Sequence, residues 1–223
     1  MFKNKTALSY GVIGLGRFGS ALARTLAESG SDVLVIDSSP LKVKELRDYT
    51  EHAFVAQELT REVLEDAGIQ NCDVVIVCIG EKIDTSILTT LNVVSLGVPR
   101  VIAKAISPDQ GLVLEKIGAE VVYPEHDMAV RLAKKLLSGV PDYISLTHGV
   151  DIAAIHIRGR LIGQSIVKLD FRRKFGLNIV AIEHGGETMT EVDPSYVFRE
   201  GDVAVLKNEL AKMTAALAGA TER

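Results

Sequence analysis

Short runs of consecutive apolar residues, separated by longer amphipathic stretches, constrain the fold of this chain more than any other feature of its sequence. Residues 33–36 (Val-Leu-Val-Ile) and 74–77 (Val-Val-Ile-Val) are apolar at every position rather than at every second one. A strand needs this pattern when helices cover both faces of its sheet, as they do in parallel sheets. The β-branched content of both runs favours strands over buried helices.

The same alternation runs from residue 7 to about residue 139 and predicts repeated βαβ units. We expect strands at residues 8–13, 32–36, 53–56, 73–78, 101–105 and 120–122. The stretches between them predict helices at residues 18–28, 41–48, 61–67, 85–95 and 110–117, and a further helix follows at residues 128–138. These elements together predict an α/β fold with a Rossmann-like, doubly wound parallel sheet.

The pattern changes after Ser138-Gly139-Val140-Pro141, which we expect to end the last of these helices. Alternating residues then predict strands at 150–157, 178–182 and 203–206, with a helix at 166–175 and a terminal helix near 209–217. Gly185-Gly186 and Gly201-Asp202 predict turns between strands. We therefore expect two domains, residues 1–140 and a small α+β domain at residues 141–223.

Composition excludes several classes of function. The 223 residues carry 25 basic and 29 acidic side chains, and this near balance argues against a nucleic-acid-binding protein. The longest apolar runs are far shorter than the roughly 20 residues of a membrane span, and the first residues do not resemble a signal peptide. We therefore expect a cytoplasmic protein. Cys72 and Cys78 fall at the edge of and within an apolar run, which favours reduced core positions over a disulfide or a structural metal site.

A glycine-rich turn is the sharpest functional signal. Gly14-Leu15-Gly16-Arg17-Phe18-Gly19 directly follows the first predicted strand and opens the first helix. In such a motif the first glycine permits the tight turn, the second lets the backbone approach a pyrophosphate, and the third lets helix and strand pack closely. The start of the helix also offers free amides to phosphate oxygens.

Asp37 closes the second predicted strand, where a carboxylate can accept hydrogen bonds from the hydroxyls of a ribose. Strand, turn, helix, second strand and acid are all in register, so we predict nucleotide binding. The alternative is a Rossmann domain that keeps the turn for packing alone. Ser38 and Ser39 follow Asp37, so a 2′-phosphate has no obvious cation and NADP is disfavoured.

Two charged residues have two interpretations each. Arg17 either points to solvent from the first helical turn or reaches phosphate charge beyond a pyrophosphate. Glu125 follows Pro124 at the start of a long helix, where an acid complements the helix dipole. Its carboxylate is alternatively a ligand for Mg²⁺ or Ca²⁺ shared with nucleotide phosphates.

An NAD-dependent dehydrogenase is the first enzymatic hypothesis, but residues 141–223 contain no recognisable catalytic spacing. His148 has no evident catalytic partner in the sequence. His156 lies within an alternating run, where a histidine on a strand face is expected, and His184 precedes a glycine turn. The sequence therefore permits an enzyme without supplying its active site.

Motifs along nearly the whole chain resemble those of the KtrA/TrkA cytosolic subunits of potassium transporters, which are built from RCK (KTN) domains. The resemblance rests on the glycine-rich turn, on Asp37, and on four further segments: Leu114-Glu115-Lys116-Ile117-Gly118-Ala119, Pro124-Glu125-His126-Asp127-Met128, Arg172-Arg173-Lys174-Phe175-Gly176 and Asn178-Ile179-Val180-Ala181-Ile182. A chain of this length, with a single RCK unit, resembles KtrA more than the double-length TrkA.

The resemblance implies a regulatory gating subunit rather than an enzyme. Members of the family bind ATP, ADP or NAD(H), dimerise through their Rossmann halves and assemble as octameric rings. They dock at the inner face of the cell membrane on a potassium-translocating subunit of the KtrB or TrkH type. The expected biochemical roles are therefore nucleotide binding and the control of potassium flux through another polypeptide.

The resemblance also implies a set of nucleotide-binding residues. The phosphates would be held at the turn, the ribose at the end of the second strand, the base after the third strand, and the remaining contacts would follow the fourth and fifth strands. In that order the residues are Gly14, Gly16, Arg17, Phe18 and Gly19; Asp37 and Ser38; Gln57 and Glu58; Ile79, Gly80 and Lys104. Gln57 and Glu58 differ from the smaller Asn-Ala pair of some relatives, which leaves the adenine contacts open.

Two further ligand assignments follow from the resemblance. Glu125 matches the family glutamate that supports a Mg²⁺ or Ca²⁺ ion at the nucleotide phosphates, which now favours its role as a metal ligand. In the C-terminal half, the matching positions for cyclic di-AMP at a dimer interface are Ile166, Arg172, Asn178, Ile179 and Pro194. The alternative for four of them is ordinary: Ile166 and Ile179 would be core residues, Arg172 a solvated helix charge and Pro194 a turn residue.

Overall fold

The computed structural model describes residues 8–138, 142–145 and 151–208. The chain divides into two compact units, Met1–Asp127 and Met128–Arg223. The helix end expected at residues 139–141 and the terminal helix expected near residues 209–217 lie outside the described residues. The domain boundary expected after residue 140 stays a prediction.

Six parallel strands form the sheet of the first unit. They are β1 (Ser9–Ile13), β2 (Asp32–Asp37), β3 (His52–Val55), β4 (Val74–Val77), β5 (Arg100–Lys104) and β6 (Glu120–Val122), and their order is β3-β2-β1-β4-β5-β6. The predicted doubly wound sheet is confirmed, and no strand end differs from its predicted position by more than one residue. The strand order reverses between β1 and β4, which is where such sheets bind ligands.

Helices connect these strands. They are α1 (Arg17–Glu28), α2 (Pro40–Leu46), α3 (Arg61–Asp66), α4 (Ile83–Ser95) and α5 (Pro108–Lys116), and α6 (Pro124–Ser138) follows β6. The α6 helix begins four residues before its predicted start, because Pro124 suits the first helical turn. A 3₁₀ turn (Ile69–Asn71) precedes β4. Among the described residues, none of the helices is long and apolar enough to cross a bilayer.

The sheet is buried on both faces, as the continuous apolar runs predict. Leu34, Ile36, Val75 and Val77 join one buried cluster, and the intervening residues of β2 and β4 join a second cluster that includes Ala23 of α1. Neighbouring side chains of a strand point to opposite faces, so only strands covered on both sides bury every position. Cys72 and Cys78 are both reduced cysteines in buried positions, which confirms their predicted place in the core.

The second unit contains an antiparallel sheet. Its strands are β7 (Asp142–Ser145), β8 (Asp151–His156), β9 (Asn178–His184), β10 (Glu187–Met189) and β11 (Val203–Asn208), in the order β10-β9-β11-β8-β7. Gly185 and Gly186 form the predicted two-residue turn between β9 and β10, with φ angles of 60° and 87°. Such a turn needs positive φ at both positions. The strands β7 and β10 were not predicted.

The single helix predicted at residues 166–175 is wrong, because the segment forms two short helices. The α7 helix (Ile166–Leu169) and the α8 helix (Phe171–Phe175) are separated by Asp170, whose φ is 47°. Aspartate tolerates this left-handed conformation better than most residues. The break lets Phe171 enter the core, where its ring meets Phe198 edge to face at 6.4 Å.

A buried carboxylate organises the loop that precedes β11. Asp202 is fully buried and accepts hydrogen bonds from the Tyr196 hydroxyl (2.9 Å) and the Arg199 amide (2.8 Å). Nδ1 of His184 lies 2.6 Å from the other carboxylate oxygen. Burial, together with the hydrogen bond to Asp202, raises the pKa of the Tyr196 hydroxyl. The predicted turn at Gly201-Asp202 is therefore also a polar anchor of the second unit.

Candidate functional site

A cleft of about 360 Å³ lies at the carboxyl ends of the parallel strands. Segments that follow β1, β2, β3 and β4 contribute to its walls, as do the last residue of β5 and the first turn of α6. This position, outside the strand ends and around the reversal of strand order, is the usual ligand site of an open α/β sheet.

The glycine-rich turn forms one wall of the cleft, and its three glycines have different roles. Gly14 has a φ of +96°, a conformation that other residues rarely adopt. A Cβ on Gly16 would meet no atom within 4 Å, so this backbone is open to an incoming group. A Cβ on Gly19 would overlap the carbonyl oxygen of Gly14. The turn is therefore held close to α1 and presents bare backbone at Gly16.

Asp37 connects the turn to the end of β2. Its carboxylate accepts a hydrogen bond from the Leu15 amide at 2.6 Å and another from the Ser39 amide at 2.8 Å. The Lys42 ammonium lies 3.7 Å from the same carboxylate, whose side chain is only 9% exposed. The sequence offered no obvious cation beside Asp37, and the structure supplies one from α2. A carboxylate has about four acceptor positions, so capacity for ribose hydroxyls remains.

Opposite charges meet at the far side of the cleft. The Lys104 ammonium, at the end of β5, forms a short ion pair with the Glu125 carboxylate on α6. Lys104 holds the pKa of the Glu125 carboxyl below its usual value, and Arg17 adds a smaller contribution of the same sign. Arg17 therefore acts electrostatically on the cleft, and its side chain is among those that line it.

Eleven of the predicted nucleotide-binding residues line this one cleft, while Gly19 and Glu58 do not. The eleven are Gly14, Gly16, Arg17, Phe18, Asp37, Ser38, Gln57, Ile79, Gly80, Lys104 and Glu125. Gly19 packs beneath the turn, where a Cβ would also lie 3.1 Å from Cβ of Cys78. The side-chain amide of Gln57 donates to the Ser38 carbonyl at 2.8 Å, which ties the end of β3 to the end of β2.

Sequence reasoning missed several residues of the cleft, including two lysines. Lys42 and Lys82 both line it, as do Ile36, Ala56, Leu59, Cys78, Glu81 and Thr85. Lys42 lies five residues after Asp37, in the first turn of the following helix, and that spacing is the signal that could have identified it. Burial raises the pKa of the Cys78 thiol to about 12, so this thiol stays protonated and poorly nucleophilic at neutral pH.

The donor set of the cleft fits a divalent cation only in company with phosphate. Among the described residues, no group of three or more His, Cys, Asp or Glu side chains is arranged to hold a metal ion. The Glu125 carboxylate is 67% exposed and lines the cleft, so it offers one hard oxygen donor. Mg²⁺ is commonly held by one or two carboxylates together with substrate phosphates, and Ca²⁺ also prefers oxygen ligands. Glu125 is thus a suitable single protein ligand.

The five residues matched to cyclic di-AMP lie in the second unit. The loop that carries Pro194 pairs with the start of α7, because the Val167 amide donates to the Pro194 carbonyl and the Ile166 amide to the Tyr196 carbonyl, each at 3.0 Å. Arg172 is exposed on α8. Asn178 and Ile179 begin β9, where Asn178 is exposed and Ile179 packs partly against the core.

The histidines offer no arrangement of catalytic groups in the cleft. None of the described residues that line it is a histidine. His156 ends β8 on a strand face, as predicted, and is exposed. His184 is the last residue of β9, next to the glycine turn, and contacts Asp202. His148 lies outside the described residues.

A Rossmann-type domain with a glycine-rich cleft, followed by a small antiparallel domain, is the arrangement of a TrkA-type domain pair. The family models agree: the TrkA-N domain matches residues 10–124 and the TrkA-C domain matches residues 152–218. The chain is 39% identical to Ktr system potassium uptake protein C of Bacillus subtilis (strain 168), over 88% of this chain and 90% of that protein. It is 37% identical to protein A of the same system, over 92% and 91% of the two chains.

The chain therefore belongs to the TrkA/Ktr family of potassium uptake proteins. A solved structure described as the GsuK channel bound to NAD has the same fold, with a TM-score of 0.53 and 22% identity. That match covers 100% of this chain and 40% of the channel chain.

Proposed function

We propose that this chain is a cytoplasmic regulatory subunit that binds adenine nucleotides and thereby controls potassium flux through a membrane-embedded partner of the KtrB or TrkH type. The observation that carries the proposal is the cleft at the strand ends, where bare backbone at Gly16, a carboxylate at Asp37 and the cations Arg17 and Lys104 lie together. Membership of a family named for potassium uptake supports regulation over the alternative, an NAD-dependent oxidoreductase.

The proposed ligands are ATP, ADP and NAD(H). Phosphates would lie at the open backbone of Gly16 and the start of α1, and the ribose at Asp37. The base would lie near Gln57, whose amide holds the Ser38 carbonyl. Mg²⁺ or Ca²⁺ would join Glu125 to the phosphates, where it would neutralise their charge. The NAD bound to the GsuK channel, a protein of the same fold, is compatible with this set.

Gating requires that a nucleotide bind one conformation of the assembly more tightly than another. ATP and ADP share base, ribose and two phosphates, so any difference in how tightly they bind must arise at the γ-phosphate. We assign contact with this phosphate to Arg17 and to a cation on Glu125. One hydrogen bond to a charged group contributes about 1.5–3 kcal/mol. Moving a switch from 1:99 to 99:1 needs about 5.5 kcal/mol, so several sites coupled in a ring would be required.

Arg17→Ala tests this assignment. We expect ATP affinity to fall at least about tenfold, because a hydrogen bond to a charged group is lost, while ADP affinity changes by less than about threefold. Isothermal titration calorimetry with each nucleotide in Mg²⁺ measures both. Arg24→Ala is the matched control, since Arg24 is also on α1 but stacks on Tyr49 at 4.9 Å. An unchanged ATP/ADP ratio in Arg17→Ala would contradict the proposal.

A second ligand, cyclic di-AMP, is proposed for the C-terminal unit. Its support is the pairing of α7 with the Pro194 loop, which brings Ile166 and Pro194 together. Arg172 would supply positive charge for the two phosphates of this ligand.

A further inference from the structure

Lys104 is a largely buried cation inside the proposed nucleotide cleft. Its side chain is 12% exposed and its ammonium is paired with the carboxylate of Glu125. Moving an ammonium out of water is unfavourable unless a partner compensates, so Lys104 depends on this pair. Glu125 is 67% exposed and does not share that dependence. The pair is therefore asymmetric: the lysine needs an anionic partner, whereas the exposed carboxylate can be taken by another ligand.

The surroundings of Lys104 place its charge beside Gly80, which also lines the cleft. A Cβ on Gly80 would lie 3.3 Å from Nζ of Lys104, so the glycine after β4 leaves the space that the ammonium uses. The same ammonium acts electrostatically on the Cys78 thiol, lowering its pKa against the larger effect of burial. Lys104 thus lies where it faces both the turn after β4 and the carboxylate on α6.

We propose that Lys104 and a divalent cation are alternative partners of Glu125, and that Lys104 supplies the positive charge to bound phosphates when no divalent cation is present. The inference rests on the proposed nucleotide-binding function. Mg²⁺ requires oxygen ligands at about 2.0–2.1 Å in near-octahedral geometry. An ammonium at hydrogen-bond distance from the same carboxylate is repelled by such an ion, so the two cations compete for Glu125.

The chemistry of lysine suits this exchange. Its ammonium is a compact charge on a flexible four-carbon stem with three donors, so it can leave Glu125 and turn to a phosphate oxygen in the same cleft. A phosphate that arrives without Mg²⁺ meets the lysine, and a phosphate that arrives with Mg²⁺ meets Glu125 through the ion. Lys104 is therefore a specificity residue that sets how strongly nucleotide binding depends on divalent cations.

Lys104→Met tests the exchange in the full chain. ATP affinity is measured by calorimetry in excess EDTA and in excess Mg²⁺. The readout is the dissociation constant in EDTA divided by the dissociation constant in Mg²⁺. We expect this ratio to rise at least about tenfold over that of the unmodified chain, because the missing lysine charge weakens ATP binding in EDTA, whereas Mg²⁺ supplies the positive charge in the other buffer. Lys104→Gln, which retains a donor without charge, should give the same change. An unchanged ratio in both variants overturns the inference.

Two further variants separate this outcome from general damage. Arg100→Met removes a different ion pair, Arg100–Glu120. Arg100 begins β5 and Glu120 begins β6, so this pair lies at the end of β5 away from Lys104, and its loss should leave the ratio unchanged. Glu125→Gln should abolish the dependence on Mg²⁺ whether residue 104 is lysine or methionine. If the unmodified chain binds no nucleotide, both the inference and the proposed function are overturned, whereas an unchanged ratio with intact binding overturns the inference alone.

Discussion

The glycines of the turn illustrate how one residue type serves three physical purposes within six positions. Gly14 supplies a positive φ, Gly16 leaves backbone uncovered, and Gly19 avoids a collision with the carbonyl of Gly14. Only the second purpose concerns the ligand directly. The sequence motif predicted all three purposes, including the packing role of Gly19. The family resemblance also placed Gly19 among the phosphate-binding residues, and that assignment stays a prediction.

Alanine at two of these glycines should therefore affect different properties, stability at Gly19 and nucleotide binding at Gly16. Gly19→Ala should lower the free energy of unfolding by about 1–3 kcal/mol, because the new methyl group overpacks the turn. Gly16→Ala should cost less than about 1 kcal/mol, since the methyl group meets no neighbour, and should weaken nucleotide binding instead. Urea denaturation and calorimetry measure the two effects. Equal loss of stability in both variants would contradict this division of roles.

The cations of the cleft were harder to predict than its glycines. Lys42 occupies a helix in which a lysine usually faces solvent, so its spacing after Asp37 is a weak signal, and its place beside Asp37 depends on how α2 packs on β2. The ion pair of Lys104 with Glu125 joins residues 21 positions apart in the chain. A local sequence pattern predicts the spacing of residues within one helix or strand. Both of these contacts instead join residues of different elements, so they depend on how those elements pack.

At the scale of elements, the parallel sheet was predictable and the antiparallel one only in part. Strands buried on both faces have an unmistakable apolar pattern, as in Val74–Val77. The edge strand β10 is exposed along its whole length and has no such signal. The break at Asp170 was missed because a single residue with positive φ interrupts an otherwise helical pattern.

The α8 helix, which follows the break at Asp170, contains Arg172 of the second proposed ligand site. We expect the full chain to bind cyclic di-AMP in calorimetry, and Arg172→Ala to weaken that binding at least about tenfold, because a charge-assisted contact to phosphate is lost. Arg173→Ala, an adjacent exposed arginine of the same helix, is the control and should change affinity by less than about threefold. Absence of heat at micromolar chain and ligand would rule the site out.

For the whole molecule, the proposed gating function requires an assembly. We expect an octamer of eight 24.1 kDa chains, about 193 kDa, because ring formation is what lets several weak discriminations act on one partner. Size-exclusion chromatography with light scattering, with and without ATP and Mg²⁺, measures the mass. A mass of one or two chains under both conditions would argue for an independent binding protein instead.

The hydrogen bond from the Leu15 amide to Asp37 has a consequence for how ligand would arrive. It fixes the turn proposed to bind phosphates and the carboxylate proposed to bind the ribose to each other within the chain itself. A preorganised receptor loses little conformational entropy when it binds. Most of the affinity for the shared part of ATP, ADP and NAD(H) is then available without rearrangement. Rearrangement on binding is then expected at exposed charges of the cleft, such as the carboxylate of Glu125.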